Sequence, residues 1–474
     1  MKRRDFLKIS GGMALSFLPL AVFCKKFSQS KPNIVFILID DLGWRDVSFM
    51  GSHYYETPNI DRLAREGIVF TNAYANAPNC APTRASLLTG QYTPRHGIYT
   101  VGNPARGKAH LRKLIPVPNK TVLDPDKVTI AEVLKSAGYV TAHVGKWHLG
   151  KDPDSGPQAQ GFDVNIGGNQ AGHPKSYFSP YHNNNLSDGP EGEYLTDRLT
   201  KEALQFIKQN SDKPFFLYFS HYAVHTPIQA KPELIQKYRK KPPWNGHKNP
   251  TYAAMIESVD ESVGQILKIL DELNLTEKTI IVFFSDNGGY GPVTSMAPLR
   301  GSKGMLYEGG IREPLVVRWP GKIPAGSKCD TPVIGIDFFP TFLEILGLSQ
   351  PPDHPLDGES LVPLLFQTGQ LKRNAIFWHF PAYLEAYRDT PGPWRTTPAG
   401  AVRQGDWKLI EFFEDGRLEL YNLKNDISES RNLAGEMPEK TAELHQLLKD
   451  WRKSLNAPVP TELNPKYNPG KKKG

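Results

Sequence analysis

Cys80 opens a short apolar run, Cys80-Ala81-Pro82-Thr83-Arg84-Ala85-Ser86-Leu87-Leu88-Thr89-Gly90, with Pro at +2 and Arg at +4. A helix beginning here would place residue 80 at its N-terminus, where unpaired N–H groups and the positive dipole end favour an anion or oxyanion. Arg84, one turn on, points a permanent cation back at residue 80. The bland alternative is a buried cysteine, or one bonded to Cys329. Two pairs of carboxylate and amide residues lie elsewhere, Asp40-Asp41 and Asp286-Asn287, each at the end of a largely apolar run. Consecutive carboxylates at a buried strand end are costly unless a cation or several donors satisfy them. Oxygen ligands without Cys or His suit a hard cation such as Ca2+ or Mg2+. Loop capping by hydrogen bonds to backbone N–H groups is the alternative.

The elements that must position these groups read as alternating buried strands and helices. Strands are expected at Asn33–Ile39, Tyr139–Val144, Phe215–Phe219, Thr279–Ser285 and Leu315–Arg318. Helical spacing covers Thr57–Glu66, Thr129–Ala137, Leu195–Gln209, Tyr252–Leu273 and Phe338–Leu346. This order implies an α/β fold, a large mostly parallel sheet sandwiched by helices, over residues 31–373. Ligands in such sheets collect at the carboxyl ends of strands. The polar clusters fall there: Asp40-Asp41, Lys146 and His148 in Gly145–Gly150, His221 and His225, and Asp286-Asn287. From Asn374 the texture changes to a hairpin, Trp407–Phe413 with Leu418–Asn422, then an amphipathic helix, Pro438–Ser454. Residues 374–456 therefore read as a smaller C-terminal antiparallel α+β subdomain. The Pro- and Lys-rich segment 457–474 reads as a disordered tail.

Net charge is +8 over 474 residues, but residues 1–28 contribute +5 and Lys471-Lys472-Lys473 contribute +3, so the part between is neutral. Bulk charge thus argues for no nucleic-acid partner, and any anion preference must reside in a local pocket. Lys2-Arg3-Arg4-Asp5-Phe6-Leu7-Lys8, followed by the apolar run Met13–Phe23, resembles a twin-arginine export signal. The run is too short for a permanent membrane span. Export machinery is therefore an expected partner, with a periplasmic or extracellular location. Cys24 offers a lipoprotein anchor, which the bulky Phe23 before it disfavours.

Taken in order, six motifs resemble the type I sulfatases, of the arylsulfatase and N-acetylgalactosamine-6-sulfatase kind, within the alkaline-phosphatase-like superfamily. They are Asp40-Asp41, Cys80 to Arg84, Gly138-Tyr139 through Gly150, His225-Thr226-Pro227, Asp286-Asn287-Gly288, and Gly301-Ser302-Lys303-Gly304 with Tyr307-Glu308-Gly309-Gly310. The resemblance implies that a maturase oxidises Cys80 to formylglycine. It also implies that Asp40, Asp41, Asp286 and Asn287, with residue 80, hold one Ca2+. Arg84 would fix the aldehyde hydrate, Lys146 and Lys303 would bind sulfate oxygens, and His225 would protonate the departing alcohol. His148 would orient the hydrate and deprotonate its second hydroxyl, expelling sulfate and restoring the aldehyde.

The shared motifs read sulfate rather than the alcohol. Export favours a sulfated saccharide over a free aryl sulfate. Trp378, His379, Tyr383, Tyr387, Trp394 and Arg395 form a stretch rich in aromatics and cations, with His379 and Arg395 as candidate sugar contacts at a pocket mouth, or else ordinary loop packing. A phosphoester or phosphonate hydrolase of the same superfamily remains an alternative, as does an unmatured chain that only binds glycan. His96, His143, His221 and Trp147 read as structural.

Overall fold

Runs of branched and aromatic residues, too apolar to face water on either side, set the centre of the molecule. The computed structural model describes residues 31–388 and 391–470, all within one compact unit that begins at Lys31. The export segment 1–28, with Cys24, lies outside the described residues. The main sheet contains β1 (Asn33–Ile39), β2 (Ile68–Tyr74), β3 (Val140–Gly145), β4 (Val164–Ile166), β5 (Phe215–Ser220), β6 (Thr279–Ser285), β7 (Arg312–Arg318), β8 (Ser327–Cys329) and β9 (Val333–Ile334). Its order is β4-β3-β5-β1-β6-β7-β2-β8, with β9 also on β2. Pairing is parallel from β4 to β6, and β7 runs antiparallel to both β6 and β2.

Strand alternation feeds two cores. Val35, Ile37 and Ile39 of β1 pack with helices Pro58–Glu66, Leu195–Gln209 and Pro250–Glu272 on one face. Ile34, Phe36 and Leu38 pack with helices Cys80–Thr89, Ile130–Ser136 and Phe338–Leu346 on the other. The expected mostly parallel sheet between helical layers is therefore present. Helix Cys80–Thr89 is buried along its whole length.

The second part adds β10 (Ala375–Phe380), β11 (Leu384–Glu385), β12 (Trp394–Thr396), β13 (Ala399–Gln404), β14 (Trp407–Phe412) and β15 (Leu418–Asn422). An antiparallel sheet, β10-β13-β14-β15, is covered by helix Pro438–Ser454 through Leu444 and Leu448. Its other face meets the main body through Trp378, Phe380, Ile410 and Tyr421. Between the two parts, the fully buried Lys408 ammonium lies 2.9 Å from both Glu308 and Glu429, so the junction is ionic as well as apolar.

One expectation changes, and one strand is new. Residues 457–470 are not a loose tail. Ile115 N donates to Glu462 O at 2.9 Å, Asn464 N to Lys113 O at 2.9 Å, and Asn468 N to His110 O at 2.8 Å. Strand β2 escapes the sequence pattern because a register shift between Phe70 and Ala73 interrupts its alternation.

Burial holds His96, His143, His221 and His379 neutral, each lowered from 6.5 to about 3. A depressed folded pKa gives stability that is present above the unfolded value and lost as pH falls. Unfolding free energy should therefore decline below pH 6.5, by up to about 1.4 kcal/mol per histidine per pH unit. Urea midpoints at neutral and mildly acid pH check this, and equal midpoints would contradict it.

Candidate active site

Register brings the chemistry to one level. Ile39 of β1 faces Ser285 of β6, Leu38 faces Ser220 of β5, and Gly145 of β3 faces Ser220. The next residues, Asp40-Asp41, Asp286-Asn287 and Lys146, thus leave the sheet side by side. Gly145 makes the exit from β3 possible: its φ is +105°, and a Cβ there would lie 1.9 Å from Ser220 O. The turn lets Lys146 N donate to that same carbonyl at 2.7 Å.

Helix Cys80–Thr89 aims its N-terminus at this edge. Asn79 precedes it in extended conformation without a side-chain capping bond, its amide donating instead to Thr100 Oγ1 at 2.9 Å. Arg84, fully buried, donates through Nε to Asp286 Oδ2 at 2.8 Å, and its Nη2 lies 2.7 Å from the same oxygen as an ion pair. Its Nη1 donates to Lys146 O at 2.9 Å and to Ser220 Oγ. Arg84 therefore ties the cysteine helix to three strand ends. Burial opposes its charge, but Asp286 and Asp40 outweigh that and raise its pKa.

Lys146 Nζ lies 2.6 Å from Asp40 Oδ2. Lys303 Nζ lies 2.6 Å from Asp41 Oδ1 and 2.8 Å from Asp41 Oδ2. For the Lys303 ammonium, burial is unfavourable, yet Asp41 lifts its pKa above the ordinary lysine range. Burial likewise acts against the Asp41 carboxylate, and Lys303 and His225 more than compensate, so it stays well below the usual range.

Three carboxylates, Asp40, Asp41 and Asp286, thus meet three cations, Arg84, Lys146 and Lys303. The donor set has a remaining need. Asp40 Oδ1 and Asn287 Oδ1 are buried without a hydrogen-bond partner, and burial pushes Asp40 up to about 8. Ligand atoms of Asp40, Cys80 and Asp286 lie within 4.8 Å of one another, as do those of Asp40, Asp41 and His225. Converging hard oxygens with unpaired lone pairs fit a divalent cation held by Asp40, Asp41, Asp286 and Asn287. Such a cation would keep all three carboxylates ionised against Arg84, Lys146 and Lys303, and would leave the pocket at +2, suited to an anionic ester.

His225 Nδ1 lies 2.9 Å from Thr226 O, which can only accept, so Nδ1 carries the hydrogen. Nε2, 3.6 Å from Asp41 Oδ2, is left to exchange a proton with the site. The His173 ring, on a separate loop, stacks on His225 at 6.0 Å. His148 sits at φ +65° with its Nδ1 unpartnered. Burial and then the Lys146 and Arg84 charges hold its imidazole neutral, able to accept a proton.

Cys80 is a free, buried thiol and Cys329 a free, half-buried one on β8, so the pair is not bridged. Burial raises the Cys80 pKa. As cysteine, residue 80 is a poor nucleophile despite its position.

His379 is corrected. It is buried in β10, with Nε2 2.9 Å from Pro458 O and its ring against Tyr99 and Phe413, leaving no face for a sugar. Trp378 is also buried, donating to Ala75 O at 2.8 Å. Arg395 does reach the site: its Nη1 donates to Lys303 O at 3.2 Å, and its guanidinium lies 4.3 Å over the Tyr387 ring. Tyr387 Oη donates to the same carbonyl at 3.0 Å. Sequence reasoning missed Ser220 and His173. Ser220 was findable as the polar last residue of a buried strand, whereas His173 carried no local signal.

Comparison with known proteins follows the same lines. Residues 32–348 match the Sulfatase family, and residues 302–455 match the family described as N-sulphoglucosamine sulphohydrolase, C-terminal. A sulfatase of Formosa agariphila is 35% identical over 94% of this chain and 93% of its own. The N-acetylgalactosamine-6-sulfatase of Homo sapiens is 36% identical over 73% of this chain and 68% of its own. Among solved structures, Ps i-CgsB in complex with k-i-k-neocarrahexaose has TM-score 0.75 and 31% identity, covering 89% of this chain and 93% of that one.

Proposed function

The chain belongs to the sulfatase family, and we propose on that footing that it hydrolyses the sulfate ester of a saccharide through a formylglycine made from Cys80. The observation that carries the reading is the convergence of Arg84, Lys146 and Lys303 with three buried carboxylates around residue 80. The buried thiol, with its raised pKa, is a poor fit to direct attack, which supports oxidation of this residue. Hydrated formylglycine supplies two hydroxyls on one carbon, one to attack sulfur and one to release it. A Ca2+ held by Asp40, Asp41, Asp286 and Asn287 supplies charge that favours an ionised oxygen at residue 80.

The chain's own groups do the rest. Lys146 and Lys303 bind sulfate oxygens and neutralise charge that builds on the transferring group. Arg84 fixes residue 80 relative to Asp286. His225 Nε2, oriented by the Thr226 carbonyl, would give a proton to the departing alcohol. Burial and the Lys303 charge keep the free imidazole neutral, so this role needs the negative charge of the bound ester, which favours the imidazolium. Neutral His148 accepts one when sulfate leaves. The saccharide rests on two supports: relatives include an N-acetylgalactosamine-6-sulfatase, and a solved structure of similar fold holds neocarrahexaose. We further propose export to the periplasm or exterior, by the twin-arginine leader, and maturation by a formylglycine-generating enzyme.

Initial rates on matched aryl sulfate and aryl phosphate, with a panel of sulfated mono- and oligosaccharides, test this. Sulfate should exceed phosphate, and at least one saccharide should be desulfated; phosphate preference would overturn the reaction, and a silent panel the substrate. Arg395→Ala should cost kcat/KM on the saccharide roughly tenfold more than on the aryl sulfate, because remote contacts count only where the sugar exists. Equal losses would assign Arg395 to supporting Lys303 alone.

A further inference from the structure

The segment Arg106-Gly107-Lys108-Ala109-His110-Leu111-Arg112-Lys113 holds four Lys/Arg and no acid. Arg106 pairs with Glu385 at 2.7 Å, and Arg112 donates to the carbonyls of Arg106 and Gly107. Lys108 is exposed, Lys113 is half-buried, and neither forms an ion pair among the described residues. The C-terminal stretch lies across this segment, bonded at His110, Lys113 and Ile115, and brings exposed Lys466 to it. Two carboxylates bond this segment, Glu385 and Glu414, and Glu462 lies in the C-terminal stretch that crosses it. Glu385 is paired with Arg106, and Glu414 accepts from Tyr383 Oη and Lys113 N. Of the five Lys and Arg on these two stretches, Lys108, Lys113 and Lys466 form no ion pair among the described residues.

This ridge is joined directly to the loop that presents Lys303. Gly107, at φ +74°, lies so close to Trp394 that a Cβ would stand 2.4 Å from its ring. Tyr383 N donates to Pro104 O at 2.9 Å. Glu385 pairs across the ribbon with Trp394, and the next residue, Arg395, bonds the Lys303 carbonyl. A chain held by its sulfate at Lys303 therefore has a short path across the β11–β12 ribbon to the ridge.

We infer that the ridge binds anionic groups on neighbouring units of a sulfated saccharide chain, a site beyond the ester being cleaved; this rests on the sulfatase reading above. A substrate with one sulfate has no use for it. A chain with several delivers its remaining anions to the ridge at high local concentration once the first is bound. Each exposed ammonium contributes little alone, and the set acts through summed charge that salt weakens.

The test titrates Cys80→Ala protein, which leaves substrate intact, with oligomeric dextran sulfate at about 50 mM and about 200 mM salt, a range over which polyanion binding changes steeply. Adding Lys108→Ser, Lys113→Ser and Lys466→Ser together should weaken binding about tenfold at low salt and flatten the salt dependence. The same three changes in the active enzyme should leave aryl monosulfate kcat/KM unchanged. Unaltered dextran sulfate binding would overturn the site, and so would a parallel loss of aryl sulfate turnover, which would assign the lysines to the fold. If the parent turned over no sulfate ester, the sulfatase reading would fall, while the titration would still judge the ridge.

Discussion

Cys80→Ala should lower sulfate-ester turnover by on the order of 10⁴ or more while the protein stays folded, since residues that act as one catalytic unit fail together. The fold should survive because the change removes one small buried atom and leaves the packing of Ala81, Ala85, Leu87 and Leu88 in place. Arg84 would still hold Asp286, Lys146 and Ser220, so the pocket keeps its shape. Circular dichroism and melting temperature near those of the parent, with turnover gone, are the expected pair of results. Retained turnover would mean that the nucleophile lies elsewhere.

The second large effect concerns the cation. Chelation should lower both activity and thermal stability, because a ligand that binds only the folded chain stabilises it by about 2.7 kcal/mol at 100 times its Kd. Ca2+ should restore both. The isosteric Asp286→Asn should abolish the response to added Ca2+ and cut kcat by at least about 100-fold, as expected when preorganised charge is lost from a transition state. Asn keeps an acceptor near Arg84, so global unfolding is not the expected cause. A melting temperature indifferent to exhaustive chelation would contradict the reading of Asp40 Oδ1 and Asn287 Oδ1 as ligand atoms for a cation.

Much of this site was legible in the sequence, for a physical reason. Buried parallel strands are largely apolar runs, and Asp40-Asp41 and Asp286-Asn287 stand at the ends of theirs, so topology alone placed them on one edge. Arg84 was legible because its spacing from residue 80 is one helical turn. Lys303 was legible only by resemblance, since no strand delivers it; its loop is held from outside by Tyr387 and Arg395.

His379 and the tail failed in part for a shared cause. Composition marked the Pro-rich stretch from Ala457 as disordered, but its backbone bonds to residues 110–115, and on the way Pro458 O covers His379. The tail is one part of that burial, since the His379 ring also packs against Tyr99 and Phe413. His173 approaches His225 from a separate loop, a contact that neither periodicity nor motif encodes.

The central claim is the chemical state of residue 80, and the mass of the peptide containing Asn79-Cys80-Ala81-Pro82-Thr83-Arg84, taken from active protein, tests it most directly. The account predicts an aldehyde in place of the thiol, or its hydrate, with the fraction converted tracking specific activity. A fully active preparation in which that peptide carries an unmodified thiol, or a disulfide to Cys329, would contradict it.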